Sequence, residues 1–321
     1  MKRSLNTVSS RGCPFACKFC FRGAQGERNY GVRSADNIAH ELDFFTKKYN
    51  IDFMGFVDDN FAVSRKRISD LYSSMRPILE EYNLKWGTHA RLDEAADITG
   101  ITNGKVALKK PLRVNEMAKS GCIYIGFGAE SANTKVLDEM GKGGFILRDG
   151  TKDFSGYKLP VSMMEGIRNT HYSGVHANCT WIMGYPGEGL EELKTSISFI
   201  KWQEEVVSEG RLSGSKEYKN AIDSVNKNVF IATAYPGTEM FKHPKVREAL
   251  SKRFNLSFND TDGSLIPDNN LQSYVESLND ASDVLYDETG EPLYYGNMSD
   301  EQFSDVRNYI DSGNIFKILD M

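Results

Sequence analysis

The amino-acid sequence predicts an α/β protein, a partial (β/α)6 TIM-like barrel with a C-terminal extension. Short apolar runs of strand-like composition alternate with stretches of helical periodicity, a pattern typical of βα units and a parallel sheet. Six such units follow one another along the chain. The length of 321 residues is also ordinary for a barrel of this class. In such a barrel the chemistry lies at the carboxyl ends of the strands.

The predicted elements follow in a regular order. Ser34 and Ser64 are the expected N-caps of the first two helices, and Gly121 ends the third. Pro77 predicts a kink or a break in the second helix. The predicted strands span residues 5–10, 51–57, 84–90, 122–129, 176–183 and 228–234. The predicted helical faces span residues 38–49, 68–82, 111–120, 161–172 and 190–200.

The character of the chain changes near residue 245. We therefore expect two regions, a core barrel over residues 1–245 and an extension over residues 246–321. Within the extension, residues 255–270 are rich in turn formers and residues 284–295 are typical of a β-hairpin. Ser299 and Gln302 form a capping box that predicts a last helix.

Composition narrows the class of protein. Lys and Arg total 39 and Asp and Glu total 44, so the formal charge is −5, and 40% of residues are apolar. These values are ordinary for a soluble globular protein and argue against disorder. A pI near 5.7 argues against a nucleic-acid partner. No run approaches the roughly 18 apolar residues of a membrane-spanning helix, and no secretory signal is visible, so we expect no membrane partner.

Three of the five cysteines form a compact motif. The cysteines lie at positions 13, 17, 20, 122 and 179. The first three have the spacing C-x3-C-x2-C, which can turn three thiolates toward one point. Cys122 and Cys179 lie in apolar, strand-like runs, where buried and unreactive thiols are expected.

Three thiolates at this spacing suit an iron–sulfur cluster, zinc or Cu(I). Structural zinc sites are usually four-coordinate, and His40 is the next candidate ligand along the chain. Electron-transfer cubane clusters usually take four cysteines. Three thiolates on a four-iron cluster would leave one iron open to a substrate or cofactor. Both a cluster and a three-cysteine zinc loop stay open on spacing alone.

The flanks of the motif add a resemblance. Phe19 precedes the last cysteine, and Ser9-Ser10-Arg11-Gly12 precedes the first. This loop resembles that of the radical S-adenosylmethionine (SAM) superfamily, in the branch that often carries an N-terminal cobalamin-binding domain. The resemblance covers about residues 5–245. It implies a [4Fe–4S] cluster on Cys13, Cys17 and Cys20, with SAM chelating the open iron. Reductive cleavage of SAM would then give a 5′-deoxyadenosyl radical that takes hydrogen from substrate.

The ends of strands two and three carry candidate SAM contacts. Asp58 and Asp59 end strand two, where the resemblance implies contact with the methionyl part of SAM; the alternative is a helix N-cap. Arg91 could pair with the SAM carboxylate or with Asp93. His89 is a substrate-side candidate, although such a histidine is more often a satisfied core residue.

Strands four to six carry the remaining candidates. Glu130 ends strand four on a face that it shares with two glycines, which leaves room for a ligand. The family pattern Gly-x-Glu-Ser implies SAM contacts from Glu130 and Ser131. The ending of strand five implies that Ile182 and Gly184 face the adenine, and Phe19 is a further implied contact. Strand six ends in Pro-Gly-Thr, which also resembles the family.

The chain departs from the family pattern in three ways. It begins at strand one, so we expect no cobalamin-binding domain within it, although cobalamin from a separate partner stays open. Too few cysteines remain for a second cluster. The stretches 97–110 and 141–160 look like long loops, either a substrate lid or surface decoration.

The sequence thus predicts a radical SAM enzyme with a small-molecule substrate, of methyltransferase, oxidoreductase or mutase type. The resemblance implies a cytoplasmic location, because an open cluster is oxygen-sensitive, and an external electron donor of flavodoxin or ferredoxin type. C-methylation with cobalamin is one candidate reaction. The alternative is a non-catalytic iron–sulfur or zinc-binding protein that retains the barrel.

Overall fold

A six-stranded, entirely parallel sheet forms the centre of the fold, and its strands follow one another in chain order. The structure is a computed structural model that describes residues 3–21, 29–259, 264–278, 285–286, 290 and 292–321. The strands are β1 Ser4–Thr7, β2 Phe53–Phe56, β3 Lys85–Ala90, β4 Cys122–Glu130, β5 His176–Met183 and β6 Val229–Ile231. The predicted α/β architecture of a partial barrel is confirmed.

Helices connect the strands, as the periodicity predicts. Ser34 and Ser64 cap the first two helices, each accepting a hydrogen bond from a backbone N–H of the first turn. The predicted break at Pro77 is wrong, because the second helix runs through it. The helices are α1 Ala35–Tyr49, α2 Arg65–Tyr82, α3 Leu92–Ala96, α4 Arg113–Lys119, α5 Thr134–Glu139, α6 Gly143–Ile146, α7 Val161–Tyr172, α8 Leu190–Ser208, α9 Lys216–Asp223, α10 Pro244–Phe254, α11 Asn269–Ser277 and α12 Asp300–Asp311, followed by a 3-10 helix, Ile315–Asp320.

The two faces of the sheet have different surroundings. Met54, Phe56 and Trp86 point toward the helices and are buried in the core with Ile38 and Leu71. Side chains alternate along a strand, so the intervening residues face the open interior of the barrel. Many of these inward positions hold glycine or polar residues rather than the branched apolar residues of a filled barrel. The interior therefore leaves space for ligands.

Among the described residues, three short antiparallel strand pairs lie outside the main sheet. Predicted strand one is too long, because Ser10–Arg11 turns away and pairs antiparallel with Gly31–Val32. The two predicted long loops are partly ordered as hairpins, which pair residues 98–102 with 105–108 and residues 151–154 with 157–160. These two hairpins lie together beside α7, where they border one groove.

The C-terminal segment packs onto the barrel. Phe303, Val306, Ile315 and Ile318 join the main core, and Ser299 forms the predicted capping box. The predicted hairpin at 284–295 falls partly outside the described residues; within them, Tyr286 and Pro292 form an antiparallel bridge and the Leu293 N–H donates to the carbonyl of Leu285 at 2.6 Å. No helix of the described residues is both long and apolar enough to span a membrane.

Candidate active site

The three motif cysteines line one cavity. It has a volume of about 380 Å³ and lies at the carboxyl ends of the strands. All three thiols are free and partly exposed, whereas Cys122 and Cys179 are buried in the core, as predicted. The lining residues that carry candidate chemistry are Cys13, Cys17, Phe19, Cys20, Asp58, Asp59, Asn60, His89, Arg91, Tyr124, Glu130, Lys142, Asn178 and Thr180.

Backbone contacts hold the cysteine loop against the barrel. The Lys18 N–H donates to the carbonyl of Met140 at 2.9 Å, and the Lys18 carbonyl accepts from the N–H of Met240 at 2.8 Å. Gly12 begins the loop with φ of +83°, and a Cβ there would lie 1.8 Å from the carbonyl oxygen of Asn29. Only glycine fits such a position without a backbone shift. The loop is therefore fixed to the segments that follow α5 and β6.

Burial and nearby cations act in opposite directions on the pKa of two of the motif thiols. Burial raises the pKa of Cys13 and of Cys17, and for Cys17 the nearby cations Lys142 and Arg91 act in the opposite direction. A metal ligand must be a thiolate, so a bound cationic metal group would stabilise the form that burial disfavours. By contrast, the pKa of Cys122 is raised to about 12 by complete burial, which makes that thiol inert.

The cysteines surround the cavity without meeting at one point. Among the described residues, no three His, Cys, Asp or Glu side chains come close enough to hold a single metal ion. A four-iron cluster binds each thiolate to a separate iron, so its ligands stand apart around it. The cavity wall that the three thiols form fits such a cluster. His40, the predicted fourth ligand of a zinc site, is exposed on α1 and does not line this cavity.

Arg91 lies beside the cysteines but is already paired. Its guanidinium contacts Asp93 at 3.0 Å, stacks over Phe15 at 4.0 Å, and approaches the Cys17 sulfur at 3.8 Å. Of the two predicted partners of Arg91, the structure therefore shows Asp93. The cation also adds positive potential next to the thiols, which favours their ionised form.

Asp58 lines the cavity wall, but its carboxylate is engaged within the protein. It accepts hydrogen bonds from the Ser9 N–H at 2.7 Å, the Ser9 hydroxyl at 2.5 Å and the Ser10 hydroxyl at 2.5 Å, and Arg67 lies 3.5 Å away. This buried network joins the end of β2 to the start of the cysteine loop. Asp59 accepts from the N–H of Gly12 at 2.9 Å. The alternative N-cap role for Asp59 is wrong, since Ser64 caps the second helix.

Glu130 forms a buried ion pair that the sequence did not reveal. Lys142 Nζ lies 3.0 Å from the Glu130 carboxylate and also donates to the carbonyl of Gly128. Lys142 is only 5% exposed. It follows the turn after α5, in a stretch predicted as a loop, so neither periodicity nor spacing placed it in the cavity. The pair offers an adjacent carboxylate and ammonium to a ligand that carries both charges.

A second, mostly apolar cavity adjoins the first. It has a volume of about 270 Å³ and shares Phe19, Glu130 and Thr180 with the cysteine cavity. Its walls are Ile182 on β5, Phe230 on β6 and neighbouring side chains beyond β6; the remaining lining residues are Tyr185, Ile231, Ala232, Thr233, Tyr235 and Met240. A flat apolar ring bound here would lie beside the ion pair of Glu130.

Two predicted contacts lie behind the cavities rather than in them. The Ser131 side chain is fully buried and lies 3.3 Å from the hydroxyl of Ser196 on α8. Gly184 has φ of +77°, and its N–H donates to the buried carboxyl of Glu188 at 2.6 Å. Burial raises the pKa of Glu188 to about 8. Both residues shape the turns that follow β4 and β5.

Polar side chains on the inward faces of β3, β4 and β5 lie together in the cavity, and the sequence indicated only some of them. His89 is exposed to the cavity, so the expectation of a satisfied core histidine is wrong. Tyr124 and Asn178 line the same cavity, and the Asn178 side-chain amide donates to the Tyr124 hydroxyl at 2.6 Å. The strand alternation placed Tyr124 inward, but its partner lies on another strand, and sequence spacing does not reveal that contact.

Comparison with known proteins decides the family. Residues 7–200 match the model of the radical SAM superfamily. The chain belongs to the radical SAM superfamily. The cofactors of this radical SAM family, a [4Fe–4S] cluster and SAM, are the ones that the three-cysteine motif implies.

Its relatives are named as methyltransferases. An uncharacterized methyltransferase of Pyrococcus horikoshii is 27% identical over 236 residues, which is 74% of this chain and 41% of that protein. The bacteriochlorophyllide d C-12(1)-methyltransferase of Chlorobaculum tepidum is 23% identical over 198 residues, covering 60% of this chain and 36% of that protein. The radical SAM chain thus spans about two fifths of the length of these relatives.

Solved structures share the fold. The cobalamin-dependent SAM radical enzyme OxsB superposes with a TM-score of 0.58 at 17% identity, covering 97% of this chain and 41% of that chain. The radical SAM methyltransferase TsrM from Kitasatospora setae superposes with a TM-score of 0.54 at 13% identity, covering 98% of this chain and 51% of that chain. The likeness extends over nearly all of the present chain, including its C-terminal segment.

Proposed function

We propose that this chain is the catalytic core of a radical SAM methyltransferase. The observation that carries the proposal is the adjacency of the three-thiol cavity, the Glu130–Lys142 ion pair and the apolar cavity. These are the surroundings that a cluster, a zwitterionic methionyl group and an adenine ring would each need. The names of the relatives support methyl transfer rather than oxidation or rearrangement.

The proposed roles of the cavity residues follow from where each one lies in the cysteine cavity. Cys13, Cys17 and Cys20 hold the cluster, which with SAM bound supplies a one-electron reduction that yields the 5′-deoxyadenosyl radical. Glu130 would accept hydrogen bonds from the SAM ammonium and Lys142 would pair with the SAM carboxylate, because the two side chains form an ion pair that lines the cavity.

The apolar cavity orients the nucleoside. Phe19 and Ile182 contact the adenine ring from opposite walls. Gly184 and Ser131 act from behind by fixing the turns after β5 and β4. The walls also exclude water from the reacting atoms, which limits side reactions of a radical.

The wider activity extends beyond this chain. The matched region covers only about two fifths of these relatives, so the substrate, the electron donor and any cobalamin-binding unit are inferred from the expected chemistry. We propose a small-molecule substrate, an external donor of flavodoxin or ferredoxin type, cobalamin supplied outside residues 1–321, and a cytoplasmic site of action. A core barrel over residues 1–245 with an extension over 246–321 is part of the same proposal.

Product analysis tests the proposal. The protein is reconstituted anaerobically with iron and sulfide and treated with SAM and dithionite, and 5′-deoxyadenosine is quantified. We expect product from wild type and from Cys122→Ala, but none from Cys17→Ala, because Cys17 lines the cavity whereas Cys122 is buried in the core. Adding cobalamin tests methyl transfer, which releases S-adenosylhomocysteine. A protein that binds zinc but no iron, or a Cys17→Ala protein as active as wild type, would overturn the proposal.

A further inference from the structure

A row of polar side chains crosses the inward face of the barrel below the cysteine loop. Parallel pairing places His89 on β3 level with Gly126 on β4, and Gly126 level with Asn178 on β5. Tyr124 is the preceding inward residue of β4. His89, Tyr124 and Asn178 therefore project into one part of the cavity, which we call the polar row.

Hydrogen bonding within the polar row leaves groups available to a ligand. The Asn178 amide nitrogen donates to the Tyr124 hydroxyl at 2.6 Å, so the tyrosine proton points elsewhere. The structure gives the Asn178 side-chain oxygen no donor among the described residues, and the His89 ring has no hydrogen-bond partner there either. A ligand can thus meet a hydroxyl donor, an amide acceptor and an imidazole together.

Gly126 makes room for this arrangement. A Cβ at Gly126 would lie 2.6 Å from His89 Cδ2 and 3.5 Å from the Tyr124 hydroxyl. The imidazole therefore occupies the space that a side chain would otherwise take. Tyr124 is also held in place, because the centroid of its ring lies 5.7 Å from that of the His176 ring. The positions of these polar groups are set by the fold rather than by a flexible loop.

The polar row carries no fixed formal charge. The two cations of the cavity lie at its rim and are paired, Arg91 with Asp93 and Lys142 with Glu130. Uncharged hydrogen-bonding groups suit neutral polar groups of a ligand. A phosphate or carboxylate buried here would lack an unpaired cation to balance its charge.

The cofactor groups lie on the carboxyl-end side of the polar row. Lys142 Nζ donates to the carbonyl of Gly128, the next inward residue of β4 after Gly126, and pairs with Glu130 there. The part of the cavity at the polar row is the space that remains for a substrate.

We infer that His89, Tyr124 and Asn178 form the recognition site for a neutral oxygen group, a hydroxyl or a carbonyl, on the substrate of this enzyme. The inference rests on the proposed function, because it assigns the rim to SAM. It places the polar oxygen at the polar row and the reacting carbon between that oxygen and the cysteines.

Matched probes test the inference. Saturation-transfer NMR on the reconstituted, SAM-saturated protein gives dissociation constants for cyclohexanol and for methylcyclohexane, which have similar shapes. We expect the hydrocarbon-to-alcohol ratio of dissociation constants to fall about fivefold in Tyr124→Phe and in Asn178→Leu, since each removes one hydrogen bond. Gly126→Ala should lower the ratio too, because it displaces His89 without removing a polar group. Tyr157→Phe, in the hairpin beside α7, is the matched control and should leave the ratio unchanged.

Two results would overturn the inference. One is a wild type that does not bind cyclohexanol, and the other is a ratio that stays constant in all three cavity variants. SAM binding is measured by equilibrium dialysis on the same preparations. A wild-type protein that does not bind SAM would contradict the proposed function. The ratio of probe dissociation constants separately decides whether the polar row recognises oxygen.

Discussion

At the residue scale, the Asp58 carboxylate connects the end of β2 to the cysteine loop. It is buried against Arg67 and accepts three hydrogen bonds from the residues that lead into the cysteine loop. We therefore expect Asp58 to position the loop.

Replacement of Asp58 measures this role. Asp58→Ala leaves the buried Arg67 guanidinium without a counter-charge, and we expect it to lose roughly 3–5 kcal/mol of unfolding free energy. Asp70→Ala, which removes the exposed pair with Lys66, should lose no more than about 1 kcal/mol. Urea unfolding of the cluster-free proteins gives both values. An Asp58→Ala protein as stable as wild type that no longer binds SAM would show instead that the carboxylate contacts SAM.

Glu188 gives a pH dependence with a definite sign. Burial raises its pKa from the ordinary 4.5 to about 8, so the folded state keeps the proton over a range in which the unfolded chain has lost it. The stability contribution of this group therefore falls as pH rises from about 4.5 to 8. Relative to Glu188→Gln, wild type should lose stability between pH 5.5 and 8.5 in urea unfolding. Parallel curves for the two proteins would contradict this assignment.

At the element scale, the C-terminal segment supports the strands that wall the apolar cavity. Tyr274 on α11 is fully buried, and its hydroxyl donates to the carbonyl of Ala234, beyond β6, at 2.7 Å. The Tyr295 N–H donates to the carbonyl of Gly184, just after β5, at 3.2 Å. The segment thus fixes the ends of β5 and β6 from outside, although it contributes no lining residue to the cysteine cavity among the described residues.

Removing one hydroxyl tests this support. Tyr274→Phe should lose about 1 kcal/mol of unfolding free energy, because the buried Ala234 carbonyl loses its donor. It should also weaken binding of S-adenosylhomocysteine by a few-fold, measured by calorimetry, because the wall of the adenine cavity loosens. Tyr286→Phe, with an exposed side chain, should change neither value. If Tyr274→Phe and wild type bind S-adenosylhomocysteine with equal affinity, the C-terminal segment does not support the binding site.

At the scale of the whole molecule, the sequence predicts more of the fold than of the site. The barrel follows from local periodicity, and the cluster loop follows from three cysteines within eight residues. Lys142 and Asn178 escaped prediction because their partners lie on other elements, which only the folded chain brings together. For His89, the alternative of a buried core residue fails for a different reason. Its neighbours Thr88 and Ala90 are buried toward the helices, and alternation then turns the histidine into the open interior.

The open interior is also the feature that links fold to chemistry. A filled barrel packs its centre with branched apolar side chains, whereas this sheet presents glycines and polar groups there. The cavity therefore extends from the cysteine loop to the polar row in one continuous space. A radical formed near the cysteine loop would meet a substrate bound at the polar row.

The central claim is that three thiolates hold a four-iron cluster with one iron open to SAM. Mössbauer spectroscopy of protein reconstituted with ⁵⁷Fe, with and without SAM, tests it most directly. We predict that SAM changes the signal of about one iron in four and leaves the others as they were, because three irons keep their cysteine ligands. Spectra that do not change on addition of SAM, or a protein that takes up no iron, would contradict the account.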